Sequence, residues 1–184
     1  MSDDEGASPR ERVVEGCRRD QVHLLEEVMH DMESKSNEEV AEFFNGVTDP
    51  MGNHALHICA MYGSYDAMDY LFDIEFFECD PLTRIDKDTP LHLAVRYANE
   101  REIHLGLAMV KMMLEAGCDP RVRNKHGQKP IDLTIPQYKD VKVELQKAEY
   151  TLNEGFRELS VHDDDDDDDE GSASDSQSET NKRV

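Results

Sequence analysis

The chain has 184 residues, of which 38% are apolar and 34% charged, and its formal net charge is −22. That length suits one domain with tails, while the charge repels nucleic acid and anionic membrane surfaces and attracts basic proteins. No apolar run approaches the roughly 20 residues of a bilayer-spanning helix, and the acidic start Met1-Ser2-Asp3-Asp4-Glu5 lacks the apolar core of a signal peptide.

Taken in order, residues 1–8 are expected to be disordered, and a first helical pair begins at Pro9. Its apolar residues Val13, Val14 and Cys17, then Leu24, Leu25, Val28 and Met29, fall at helical spacing. An extra helix is expected between Ser34 and Gly46, with Val40, Phe43 and Phe44 on one side. A motif then recurs: His54-Ala55-Leu56-His57, Thr89-Pro90-Leu91-His92 and Lys129-Pro130-Ile131-Asp132, with the apolar residue at 56, 91 and 131. Spacings of this size mark a repeat array. A hydroxyl ahead of a helix caps its free N–H groups, and proline in the first turn gives up an N–H that had no partner. A second apolar helix follows each of the first two copies, at Ala67–Phe72 and Met109–Leu114. Both runs lead to a Cys-Asp-Pro, at Cys79 and at Cys118, and Gly117 provides a left-handed stop.

The chain resembles the ankyrin-repeat family, whose pattern is Gly-x-Thr-Pro-Leu-His-x-Ala-Ala, a Gly, a Leu-Leu helix, then Gly-Ala-Asp. The resemblance covers residues 9–152 and implies an all-α solenoid of about four helix-turn-helix units with finger loops, in a domain at 9–155. The units fall at about 9–46, 49–84, 85–123 and 124–152. It also extends to small fungal ankyrin proteins of this size. The departures are His54 and Ala55 for Thr-Pro, a longer turn at 74–78, Lys87 for the finger glycine, an insertion around 99–106 between two helices, and Asp132 for the motif histidine. Pro136 is expected to end the first helix of the fourth unit early. Val141, Leu145, Ala148 and Leu152 are expected to bury one face of a closing helix over 141–150. The rest, 156–184, is an acidic tail. Its last 24 residues hold ten acids against Lys182 and Arg183, seven of them the aspartate run 163–169, so −8 of the charge lies there. Like charges at that density argue for disorder.

No chemistry of catalysis is expected. His54, His57 and Cys59 lie close together and His92 stands one repeat on, but no zinc spacing completes a site; the resemblance gives His57 and His92 a structural bond to loop backbone instead. No phosphate loop, nucleophile elbow or metalloprotease motif is present, so neither cofactor nor metal is assigned. Cys17, Cys59, Cys79 and Cys118 read as reduced, mostly buried thiols of a cytoplasmic or nuclear protein, Cys17 being the most accessible. The finger loops carry a basic row, Arg84, Lys87, Arg121, Arg123, Lys125 and Lys129, with His126. Such a row is either a solvated surface or a ledge for an acidic segment, including this chain's own tail folding back. Tyr62, Tyr65, Arg96 and Tyr97 are further candidate contacts, being of the types favoured at interfaces. Ser172 and Ser176, with Asp175 and Glu179 three residues on, match acid-directed phosphorylation sites. The expected role is a monomeric, non-enzymatic protein-binding adaptor, in particular an escort for a basic client such as a ribosomal protein or histone. The alternative is a regulatory inhibitor docking through the fingers, with a metal or thiol enzyme as a distant third.

Overall fold

The computed structural model describes residues 6–160, with side chains as far as Gly155. Within them lie eight α-helices and one 3-10 turn: α1 Pro9–Arg19, α2 Val22–Asp31, α3 Asn37–Asn45, α4 Ala55–Tyr62, α5 Tyr65–Phe72, α6 Pro90–Glu100, α7 Ile103–Glu115, the turn Pro130–Leu133, and α8 Lys139–Ser160. Helices α1, α4, α6 and the turn stack as an inner row, and α2, α5, α7 and α8 back them as an outer row. This is the all-α repeat solenoid that the resemblance implies.

Local chemistry sets the helix starts. Ser8 caps α1 and Ser36 caps α3, each in a reciprocal box with the glutamate three residues on, Glu11 and Glu39. Ser8 is therefore part of the first helix's start. In α6 the box is built from Thr89 and His92. The His92 N–H donates to Thr89 Oγ1 (3.4 Å), and the Thr89 N–H donates to His92 Nδ1 (3.1 Å). In α4 the His54 N–H donates to His57 Nδ1 (3.0 Å). An Nδ1 that accepts leaves the proton of a neutral imidazole on Nε2. Each Nε2–H then donates to the finger of the following unit, His57 to Asp88 O (3.0 Å) and His92 to Gln128 O (2.9 Å). Val14 holds the matching place in α1, so the first joint has no such bond. It is closed instead by the apolar packing of Val13 and Cys17 and by Asp20, whose Oδ1 accepts from the Ala67 N–H (2.8 Å).

Three expectations need correction. The insertion at 99–106 is not a loop. Helices α6 and α7 run 11 and 13 residues against 8 each for α4 and α5, and only Arg101 and Glu102 separate them. Glu102 makes that possible by capping α7 through the His104 and Leu105 N–H groups. The lengthened helices approach closely at Gly106, where an added Cβ would lie 2.4–2.7 Å from the Cβ, Cα and N of Ala98. Alanine there would gain about 1 kcal/mol of helix propensity. The clash is with backbone that cannot rotate away, so Gly106→Ala should cost about 1–3 kcal/mol net. A urea midpoint equal to or above that of wild type would show that α6 and α7 are not in contact there.

In the fourth unit the first helix shrinks to the single turn Pro130–Leu133. Thr134 is already extended, and Ile135 is turned from helix by the proline that follows it. The closing helix is longer than the apolar stripe suggests, Lys139–Ser160 rather than 141–150, and it passes the boundary expected at 155. Among its described side chains only Val141 and Leu145 reach the core; Leu152 is exposed, because α8 outruns the stack it covers. Last, Cys17 is fully buried, whereas Cys79 is the partly exposed thiol.

The long turn after α5 is held by α3. Asn45 Nδ2 donates to Phe76 O (3.2 Å) and Asn45 Oδ1 accepts from the Glu78 N–H (2.9 Å). That clamp keeps Phe76 at φ +61°, a left-handed conformation rare for a bulky side chain.

Candidate functional site

Three fingers project from the inner row, each closed by a backbone bond: Asp49 N–H to Asn53 O (3.0 Å), Thr83 N–H to Asp88 O (2.9 Å) and Asn124 N–H to Gln128 O (2.9 Å). Each needs one left-handed residue, and these are Gly52, Lys87 and Gly127. Lys87, at φ +57°, takes a conformation that costs an L-residue about 1–2 kcal/mol. Glycine avoids that cost but gives back about 0.5–1 kcal/mol in unfolded-chain entropy. Lys87→Gly should therefore stabilise the protein by about 0.5–1 kcal/mol. A lower melting temperature for that variant would mean that Lys87 makes a contact the finger needs.

The second and third fingers are stitched together. The Lys125 N–H donates to Asp86 O (2.9 Å), and Lys125 Nζ pairs with Asp86 Oδ1 (2.8 Å). Buried Asp88 receives Asn124 Nδ2 on one oxygen (2.8 Å) and Arg96 Nη2 on the other (3.2 Å). The Lys125 ammonium holds the Asp86 carboxyl below its ordinary value.

These bonds change the meaning of the basic row. Arg121 grips Asp119 with Nε and Nη2, both at 2.9 Å, and holds that carboxyl below its ordinary value. Lys129 reaches Glu149 on α8 (2.8 Å), and Arg123 Nη1 donates to Gly127 O (2.6 Å). Arg84 and Lys87 are exposed, and the described residues give neither of them an ion pair. Three of the six cations are thus already neutralised by the chain's own carboxylates, so the row is not the free positive ledge that the sequence suggested. The tail segment proposed to lie on it falls outside the described residues, as do Ser172 and Ser176.

The second candidate group is partly assembled. Tyr62 at the end of α4 and Arg96 and Tyr97 on α6 line a cavity of about 370 Å³, beside Arg101. Tyr62 is exposed, with the Arg18 guanidinium 5.8 Å from its ring centre, and the Tyr97 hydroxyl lies against Gly63. Tyr65 is not part of this group, since it starts α5 and packs on the core. Sequence reasoning missed Met51 and Ile85, exposed apolar side chains in the first and second fingers. The signal was available, as each follows Pro50 or Arg84 in a segment whose neighbours are polar. Among the described residues, no three His, Cys, Asp or Glu side chains are placed to hold a metal ion, and no helix is long and apolar enough to cross a membrane.

The family model for ankyrin repeats in three copies matches residues 28–124. The chain belongs to the ankyrin-repeat family. The matched span leaves out α1 and everything after the third finger begins, the parts where this ankyrin array departs most from the repeat pattern. Over 151 residues it is 39% identical to an ankyrin repeat-containing protein of Saccharomyces cerevisiae, YGL242C, covering 81% of this chain and 82% of that one. It is also 30% identical over 80 residues to zinc finger CCCH domain-containing protein 56 of Arabidopsis thaliana, covering 44% of this chain and 11% of the plant protein. Ankyrin repeats generally mediate protein–protein interaction.

Proposed function

We propose that this ankyrin-repeat protein is a non-enzymatic escort for a basic protein client, of the ribosomal-protein or histone kind, which it holds as a monomer in the cytoplasm or nucleus. The observation that carries this reading is the balance of charge at the fingers. Three of the six finger cations that could have drawn an acidic partner are paired with Asp86, Asp119 and Glu149, while the chain as a whole keeps a charge of −22. The surplus is carboxylate, and its natural complement is a protein rich in lysine and arginine. The exposed finger residues Met51 and Ile85 add apolar contact beside that field.

Those same two residues favour the second reading, a regulatory inhibitor that docks through the fingers with the tail incidental. A titration with a purified core-histone dimer separates the two, using the full chain and a version ending at Ser160. For an escort, truncation weakens binding by roughly tenfold or more at low salt, and added salt erases the difference. Equal affinity of the two versions, with loss only on Met51→Ala and Ile85→Ala, favours the inhibitor. No binding by either version rejects the basic-client reading.

A further inference from the structure

The two Cys-Asp-Pro segments follow α5 and α7, one repeat apart, and the fold lays them side by side. Cys79 Sγ–H donates to Ala116 O, and Cys118 Sγ–H lies 3.5 Å from Cys79 O, the same distance as the first pair. The next residues are tied as well, the Asp119 N–H donating to Asp80 Oδ2 (2.9 Å). The two thiols also lie within hydrogen-bonding reach of each other. Both sit outside helices, where backbone can adjust to disulfide geometry. Cys79 is partly exposed and Cys118 buried behind it, an arrangement of one accessible sulfur with a second sulfur at its back.

We propose that Cys79 and Cys118 form a peroxide-oxidisable dithiol that closes a disulfide across the joint between the second and third units. Cys79 is the attacking sulfur. The neighbouring Cys118 thiol lowers the pKa of Cys79, against an opposing effect of burial and of the Asp80 carboxylate, while the Cys79 thiol and burial push the Cys118 thiol up. The Cys79 thiolate attacks one oxygen of hydrogen peroxide. An S–O bond forms, the O–O bond breaks, and hydroxide leaves to take up a proton as water. The Cys118 sulfur then attacks the Cys79 sulfur. The S–S bond forms, the S–O bond breaks, and the departing hydroxide takes the Cys118 proton as a second water. Two thiols and one peroxide become a disulfide and two waters, and a dithiol reductant reverses the change.

The molecule carries its own control. Cys17 on α1 and Cys59 on α4 are also within hydrogen-bonding reach of each other, but both are fully buried and held inside helices, and burial pushes the Cys59 thiol well up. Proximity without access should leave them reduced.

The test treats the full native chain with hydrogen peroxide, alkylates the remaining thiols in denaturant, and maps the digest by mass spectrometry without reduction. The expected result is a Cys79–Cys118 crosslink lighter by two hydrogens, with Cys17 and Cys59 alkylated. In Cys118→Ala, a dimedone adduct should collect on Cys79 instead, with circular dichroism confirming the fold. The proposal is overturned if all four thiols are alkylated, if Cys17–Cys59 is the pair that closes, or if only crosslinks between chains form.

Discussion

Leu91→Ala is expected to lower the stability of the array by about 2–5 kcal/mol, the usual cost of removing a fully buried leucine side chain. Leu91 follows the proline of the Thr89–His92 capping box and has no exposed surface. Its helix α6 touches α4 on one side, the 3-10 turn on the other and α7 behind. In a solenoid the stability of a unit includes its two interfaces, so the loss cannot stay within the third unit. Against a typical total of about 5–15 kcal/mol, a defect at this joint removes a large share and should uncouple the fourth unit. Urea unfolding followed by circular dichroism measures it. A midpoint within error of wild type would mean that Leu91 is not the residue that α6 buries.

Acid should unfold the array through its histidines before its carboxylates are titrated. Burial pushes His57 down to about 4 and also lowers His92, since each ring is enclosed and keeps a neutral Nδ1 as acceptor. In the unfolded chain both titrate near 6.5. A histidine depressed in the folded state favours folding fully above the unfolded value, and that contribution is lost as pH falls from about 6.5 towards 4. For His57 alone the loss is roughly 3 kcal/mol. Denaturant midpoints measured from pH 7 to pH 4 should fall across this window. Nuclear magnetic resonance gives the direct reading: the His57 ring should still be neutral at pH 5. An imidazole titrating near 6.5 in the native protein would show that the ring is not sealed beneath the Asp88 carbonyl.

The repeat motif was legible because each of its residues does local work. Thr89 caps, Pro90 begins α6, Leu91 enters the core, and Lys87 stands where the finger turns left-handed. The resemblance led from the histidines to the loop-backbone bonds that the structure shows. What could not be read is what depends on a neighbour one repeat away. Lys125 looks like a free cation until Asp86 is brought beside it, 39 residues earlier in the chain, and Lys129 until α8 delivers Glu149. The insertion at 99–106 carries no proline and one glycine, and that glycine serves a close helix contact rather than a turn; the pattern alone does not distinguish longer helices from a loop. The pairing of Cys79 with Cys118 did have a signal, since two identical tripeptides spaced by one repeat occupy equivalent places in adjacent units. The basic residues do lie on the fingers, but the pairing of three of them could not be read, because the compensating carboxylates come from residues that only the fold brings beside them.

The substitution of Asp132 for the motif histidine changes what the fourth unit can offer to a neighbour. His57 and His92 each accept from their own unit on one nitrogen and donate to the next unit with the other. The Asp132 carboxylate does the first, taking the Lys129 N–H at 2.9 Å, but it has no proton to pass on. A fifth repeat grafted after the fourth would bring its finger carbonyl up against that carboxylate, oxygen facing oxygen. The histidine link made by the second and third units thus has no counterpart in the fourth, and a unit stacked there would have to be joined as the first joint is, by apolar packing.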